Sequence, residues 1–319
     1  MDFREYLRLG LFGHVSCKIY FTVAQRSNRQ ATSMAAIVPL VQAEISESVT
    51  FSFYIFRQTN IIHKMSIGVA DGVGGWRAYG IDPGEFSSYL MRTCERLVRM
   101  GHFKMSEPGD LLAKSYYELL EHKKPILGSS TACVMILDRN ESIMRAANIG
   151  DSGFMVVRGG RVVHRSHEQQ HYFNTPYQLS LPPPGHDRNV LSDRPESAET
   201  AEFGVECGDV ILVATDGVFD NVPEPVLVAE MRRAQAAAGE AGLQAVANSI
   251  AWMARNLSFD GCYMSPFAKS ARQNGIDAIG GKPDDITVLL AIVANWFFYK
   301  PFAYISVNND TKKLKYWSF

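Results

Sequence analysis

Three segments of this chain set carboxylates at the ends of apolar, β-prone runs: MSIGVADGVGGW at Met65 to Trp76, VILVATDGVFDN at Val210 to Asn221, and KPDDITVLLAIV at Lys282 to Val293. Asp71, Asp216, Asp284 and Asp285 are oxygen donors of the kind that hard cations such as Mg²⁺ and Mn²⁺ prefer. Gly72 follows Asp71, and a residue without Cβ lets its own carbonyl approach an ion. If the segments converge, the acids can hold two ions about 3.5–4 Å apart, lowering the pKa of a shared water and generating a nucleophile for in-line attack on phosphorus. No nucleophilic side chain is then needed. An Asp-Gly pair after a strand is by itself a turn signal; the recurrence of the pattern carries the metal reading. NIGDSG at Asn148 to Gly153 adds Asp151 between two β-prone runs, where the bare sequence also suits a hairpin.

The elements that must position these acids are read from periodicity. Glu85 to Met100 places Phe86, Leu90, Leu97 and Met100 at helical spacing, and Asp110 to His122 repeats the amphipathic pattern. From Ser130 the texture changes to TACVMIL, SIMRAANI and GFMVVRGGRVVHR, which predicts an antiparallel meander with a tight turn at Gly159 and Gly160. Leu179 to Pro195, with Pro182, Pro183 and Pro184 in a row, predicts a surface loop. A strand is expected at Asp209 to Ala214, two helices within Glu224 to Asn256 interrupted near Gly239 and Gly242, and a last buried strand at Ile286 to Val293. Helices come in pairs and strands in runs, which favours α+β layering over strict strand-helix alternation.

At 319 residues and 46% hydrophobic content the chain can bury one large core. Its net charge of -1 supplies no field to steer it onto nucleic acid or anionic membranes, so no nucleic-acid partner is expected. Cys17, Cys94, Cys133, Cys207 and Cys262 are odd in number, scattered and without a CxxC pair, which argues for reduced thiols and an intracellular compartment. The longest apolar run, Ile286 to Tyr299, contains Asn295 and stops at Lys300, too short for a membrane span. Residues 1–35 form a basic segment with Arg4, Arg8, Lys18, Arg26 and Arg29 against Asp2 and Glu5. That composition suits a mitochondrial presequence, or a basic N-terminus with no address. Neither GxxxxGK[ST] nor a strand-borne GxGxxG is present, which disfavours a nucleotide-binding enzyme.

VADGVGGW, GSSTACV, ANIGDSGF, ATDGVFDN and KPDDITV, in this order and spacing, resemble the metal-dependent protein phosphatase (PPM, type 2C) family over about Ile67 to Val293. The DGVGGW form and HEQQHYFNTPYQLSLPPP resemble its mitochondrial branch. The resemblance implies a four-layer α-β-β-α sandwich, with a central antiparallel β-sandwich and the metal site at one edge, over residues 36–295. It implies catalytic roles for Asp71, Asp216 and Asp284, with Asp71 bridging two Mg²⁺ or Mn²⁺ ions, the Gly72 carbonyl on one and Asp216 with Asp284 on the other. Asp285 is then a further ligand or a group that orients ligands, and Asp151 holds a weaker third ion. The implied substrate is a phosphoserine or phosphothreonine protein, and the enzyme is expected to be a monomer.

The pattern also breaks. The family's acidic motif on the preceding strand has no counterpart in residues 45–64, ISESVTFSFYIFRQTNIIHK, which contain no acid between Phe51 and Lys64; Glu44 and Glu47 lie upstream. Arg57 is the candidate for the family's phosphate-binding arginine. The tail at 296–319 is aromatic and unlike the family's usual ending. Intron read-through explains both losses, or the enzyme has lost a metal; the alternative function is therefore a pseudophosphatase acting as a protein-binding module. Val73 stands where many members carry a His proposed as general acid. His164, His167 and His171 lie close in sequence but lack evident carboxylate partners, so loop packing is expected over zinc or iron binding. Trp76 and Tyr79 are expected to pack the metal loop, and Asp220 and Asn221 to cap or orient the Asp216 loop.

Overall fold

The computed structural model of the 319-residue chain describes residues 17–26, 64–185, 190–237 and 239–295. In order, β1 (Cys17–Arg26) and β2 (Lys64–Val69) precede a short 3-10 turn at Gly74–Tyr79, then α1 (Pro83–Met100) and α2 (Pro108–Leu120). The strands β3 (Gly128–Ser130), β4 (Ala132–Asp138), β5 (Ile143–Ile149), β6 (Gly153–Arg158) and β7 (Arg161–Arg165) follow. A small ribbon of β8 (Gln170–Tyr172) and β9 (Thr175–Pro176) leads to β10 (Leu179–Leu181), β11 (Glu199–Gly204) and β12 (Val210–Ala214). The single helical turn α3 (Asp216–Phe219), α4 (Glu224–Ala236), α5 (Gly239–Ser258), α6 (Pro266–Gln273) and β13 (Ile286–Asn295) complete the order.

Two antiparallel sheets face each other, ordered β1-β13-β12-β6-β7 and β11-β5-β4-β2. Strand alternation assigns each side chain to a layer. Met135, Leu137, Phe154, Val156, Ile211, Val213 and Leu289 fill the space between the sheets. On the outer face of one sheet, Leu212, Val288 and Leu290 pack with Leu227 and Met231 of α4 and Val246 and Ile250 of α5. On the outer face of the other, Val134, Ile136 and Ile149 pack with Phe86, Leu90, Leu111 and Leu119 of α1 and α2. This is the expected four-layer α-β-β-α sandwich. Strands covered on both faces have continuous apolar sequences, as VILVA of β12 does.

The helices start and stop where their residues dictate. Asp82 caps α1 by accepting from the Gly84 N–H at 2.9 Å, Pro83 supplies a preset first residue, and Gly101 ends it in the left-handed region. The break between α4 and α5 falls before Gly239, and Gly242 lies inside α5 rather than interrupting it.

Two expectations are corrected. The predicted meander divides: β4 and β5 belong to one sheet, while β6 and β7 belong to the other. NIGDSG is consequently a crossover between sheets and not a hairpin, because β5 and β6 each find partners elsewhere, β11 for one and β12 for the other. The predicted loop at Leu179 to Pro195 begins as β10, which pairs with β3 and buries Leu179 completely.

Within the basic N-terminal segment, β1 pairs with β13 in antiparallel register from Cys17↔Asn295 to Arg26↔Ile286. Glu44, Glu47, Arg57, the atypical stretch 45–64 up to Lys64, and the tail 296–319 lie outside the described residues. Among the described residues no helix is long and apolar enough to cross a membrane.

Candidate metal centre

The acids meet because three chain segments finish at one edge of the sandwich. After β2, the Asp71 carbonyl accepts from the Thr131 N–H at 2.9 Å and from Ser130 Oγ at 2.8 Å, and Val73 N–H donates to the Ser129 carbonyl at 3.0 Å. Gly72 forms a bridge with Ser130, and a Cβ at Gly72 would stand 2.3 Å from the Pro83 carbonyl oxygen. That close approach of two backbones requires glycine. From the other sheet, β12 and β13 are neighbours in register Ala214↔Val288, which sets Asp216 just beyond one strand beside Asp284 and Asp285 just before the other. Thr215 Oγ1 ties the two ends, donating to the Asp285 carbonyl at 3.3 Å and accepting from the Thr287 N–H at 3.1 Å.

The result is one carboxylate oxygen each from Asp71, Asp216 and Asp284, all within 4.8 Å of one another. Asp285 is turned toward Arg77, whose Nη2 lies 3.7 Å from its Oδ2. Asp151, buried at the crossover, lies outside that triple but within its electrostatic reach.

Burial pushes Asp71 well above the ordinary carboxylate range, and the charges of Asp216, Asp284, Asp151 and Asp285 add to the shift. Asp151 is raised too, first by burial and then by Asp216. Burial, reinforced by Asp216, moves Asp284 up to about 7, and burial moves Asp220 up to about 7 against the pull of Lys282. Asp216 goes the other way: burial disfavours its charged form, but the charge and hydrogen bond of Lys282 outweigh burial and hold it low.

Lys282 is the residue that sequence reasoning passed over. Its Nζ lies 2.6 Å from Asp216 Oδ2, 2.7 Å from Asp220 Oδ2 and 3.3 Å from Asp284 Oδ2. The available signal was its place as the cation opening KPDDITV. With Asp216 Oδ2 held in this way, Asp216 Oδ1 is buried and has no hydrogen-bond partner among the described residues. A buried carboxylate oxygen with no donor is a costly arrangement that a cation would relieve. The donor set, all oxygen and rich in carboxylate, fits Mg²⁺ or Mn²⁺.

The histidines separate. His164 stacks on Phe203, with ring centroids 4.1 Å apart. Contrary to expectation the other two do have carboxylate partners: His167 Nδ1 lies 2.5 Å from Glu199 Oε1 and His171 Nε2 lies 3.0 Å from Asp193 Oδ2. Those acids arrive from distant segments, so local spacing did not reveal them. Trp76 is buried and donates from Nε1 to Ser129 Oγ at 2.6 Å, which in turn donates to Gln178 Oε1 at 2.6 Å. Tyr79, expected to pack here, is 73% exposed. Asn221 holds the Asp216 turn, as expected, by donating to the Gly217 carbonyl at 3.0 Å, whereas Asp220 instead pairs with Lys282.

No known family profile matches the chain. It is 57% identical over 230 residues to the protein phosphatase PTC7 homolog of Danio rerio, spanning 72% of this chain and 77% of that one. The human PTC7 homolog is likewise 57% identical over 230 residues, spanning 72% and 75%, and the PTC7 homolog fig of Drosophila grimshawi is 48% identical over 229 residues, spanning 72% and 75%. Among solved structures, the photosystem II phosphatase PBCP superposes with a TM-score of 0.69 at 25% identity, covering 86% of this chain and 98% of that one. The catalytic domain of the serine/threonine phosphatase PstP, solved with two manganese ions, shares the fold with a TM-score of 0.52 at 15% identity, covering 87% and 100%. With close relatives along most of its length and the acids of its quoted motifs gathered at one edge of the sandwich, the chain belongs to the PTC7 group of the PPM, or type 2C, family of metal-dependent protein phosphatases.

Proposed function

We propose that the chain hydrolyses phosphoserine and phosphothreonine esters of proteins with two divalent cations, Mg²⁺ or Mn²⁺, held by Asp71, the Gly72 carbonyl, Asp216 and Asp284. The observation that carries this reading is the meeting of Asp71, Asp216 and Asp284 within 4.8 Å from three segments far apart in sequence. When bound, such cations acidify water and neutralise phosphoryl oxygens.

The chain's own residues prepare that chemistry. Ser130 and Thr131 fix the Asp71 main chain, and Asp216 keeps Oδ1 available because Lys282 holds Oδ2. Arg77, half exposed beside Asp285, steadies that carboxylate and presents a cation at the site's rim. Val73 offers no proton at the turn, so a leaving alkoxide must be protonated by another group.

The test is hydrolysis of p-nitrophenyl phosphate and a phosphothreonine peptide by the folded chain, titrated with Mn²⁺ and Mg²⁺, beside Asp216→Asn. Turnover that requires metal and falls at least about 100-fold in the variant is expected. A folded protein inert at millimolar metal would instead be the pseudophosphatase suggested by the missing acidic motif. The basic N-terminal segment motivates a second proposal, a mitochondrial destination, which a reporter fused to residues 1–35 would miss if the segment carries no address.

A further inference from the structure

An ammonium has three N–H donors, and the three carboxylates around Lys282 Nζ match them in number. The side chain is only 18% exposed, and its Nζ also lies 5.4 Å from the centroid of the Phe267 ring. Its backbone is pinned on both sides by the Asn221 carboxamide, which also bonds the Gly217 carbonyl beside Asp216. Nothing in this arrangement is a surface lysine that happens to lie over an acid. The charge balance points the same way. Asp71, Asp151, Asp216, Asp220, Asp284 and Asp285 gather six negative charges at full ionisation. Two divalent ions together with Lys282 and Arg77 balance them; a third divalent ion would overshoot by two charges with the ammonium present and by one without it.

We propose that Lys282 is a resident cation of the centre, taking the place beside Asp216 and Asp220 that a third divalent ion would otherwise occupy and turning the free oxygen of Asp216 toward the other two. This inference rests on the two-ion reading above. Lys282 is a positioning residue: it acts through Asp216, Asp220 and Asp284. Asp151, which resembled the ligand of a weak third ion, feels the Lys282 charge directly. With the ammonium in place its need for a further cation is largely met.

The experiment counts Mn²⁺ ions on the full chain by isothermal titration and by electron paramagnetic resonance, and follows melting of the metal-free protein. Wild type and Lys282→Arg are expected to bind two ions. Lys282→Ser, which leaves room and removes charge, is expected to bind a third weakly, and Lys282→Ser with Asp151→Asn to lose it. Lys282→Met fills the space without charge; it should bind two ions and melt about 5 °C lower than wild type when metal-free, with the gap narrowing in Mn²⁺. Three ions on wild type would overturn the proposal even if Lys282→Ser fails to fold. So would a Lys282→Met protein that melts like wild type without metal. A folded wild type that binds no Mn²⁺ and hydrolyses nothing would bring down the phosphatase reading as well, which separates the two failures.

Discussion

The Asn221 carboxamide closes a two-way clamp on the main chain of Lys282: Oδ1 accepts the Lys282 N–H at 2.8 Å and Nδ2 donates to the Lys282 carbonyl at 2.9 Å. Because Nδ2 also bonds the Gly217 carbonyl, one fully buried side chain joins the turn bearing Asp216 to the segment bearing Asp284. Asn221→Ala strands a buried amide and carbonyls without partners and should cost about 2–3 kcal/mol of stability. Urea denaturation measures this. Titration with Mn²⁺ should show weaker binding as well, and unchanged metal affinity would show that the clamp serves the fold alone.

Gly72→Ala tests the backbone approach at the first acid. The added methyl carbon would lie 2.3 Å from the Pro83 carbonyl oxygen and 2.6 Å from its carbon, and neither can swing away as a side-chain end could. The turn must shift, and a displacement of about 1 Å at a reacting centre is worth about 100-fold in rate. Metal-dependent turnover should fall by at least that factor, with a lower melting temperature. A variant that keeps wild-type turnover would contradict this placement of the turn.

Arg158 and Asp209 test stability away from the centre. Asp209 is fully buried just before β12, and Arg158 grips both its oxygens, Nε on Oδ1 and Nη2 on Oδ2, each at 2.8 Å. Removing one partner leaves a buried charge uncompensated, so Arg158→Ala should cost about 3 kcal/mol. Turnover per folded molecule should be unchanged, because Asp209 and Asp216 stand at opposite ends of β12. A stability change below about 1 kcal/mol in thermal or urea unfolding would show that the pair is not holding the strand.

The thiols divide by burial. Burial pushes Cys94 up to about 12 and raises Cys133 further in the same direction, while Cys207 and Cys262 are exposed. In a Cys17→Ser background, a disulfide reagent should label Cys207 and Cys262 promptly in the native protein and the buried two only after unfolding. Rapid native labelling of Cys133 would mean that the space between the sheets opens readily.

Much of the architecture was legible because it is local. Both helices before the meander, the strand ends bearing Asp71, Asp216 and Asp284, and the interrupted helix pair follow from periodicity, capping residues and β-prone runs. NIGDSG suits a hairpin on its bare sequence and is a crossover in the fold, because a glycine-rich turn looks alike whether the next strand folds back on its neighbour or leaves for another sheet. Leu179 to Leu181 was hidden by the prolines after it, although pairing with β3 buries its start completely.

By itself the sequence determined which residues could offer oxygen to a hard cation, where glycine had to stand, and which segments would be helix or strand, since these depend on residue type and near-neighbour spacing. Only the tertiary structure decided which carboxylates share a site and what lies among them. Register between β12 and β13 sets Asp216 beside Asp284, and the same register delivers Lys282 to Asp216 and Asp220 across more than sixty positions of chain. Such meetings arise from strand pairing and the burial of both sheet faces, which no local pattern encodes.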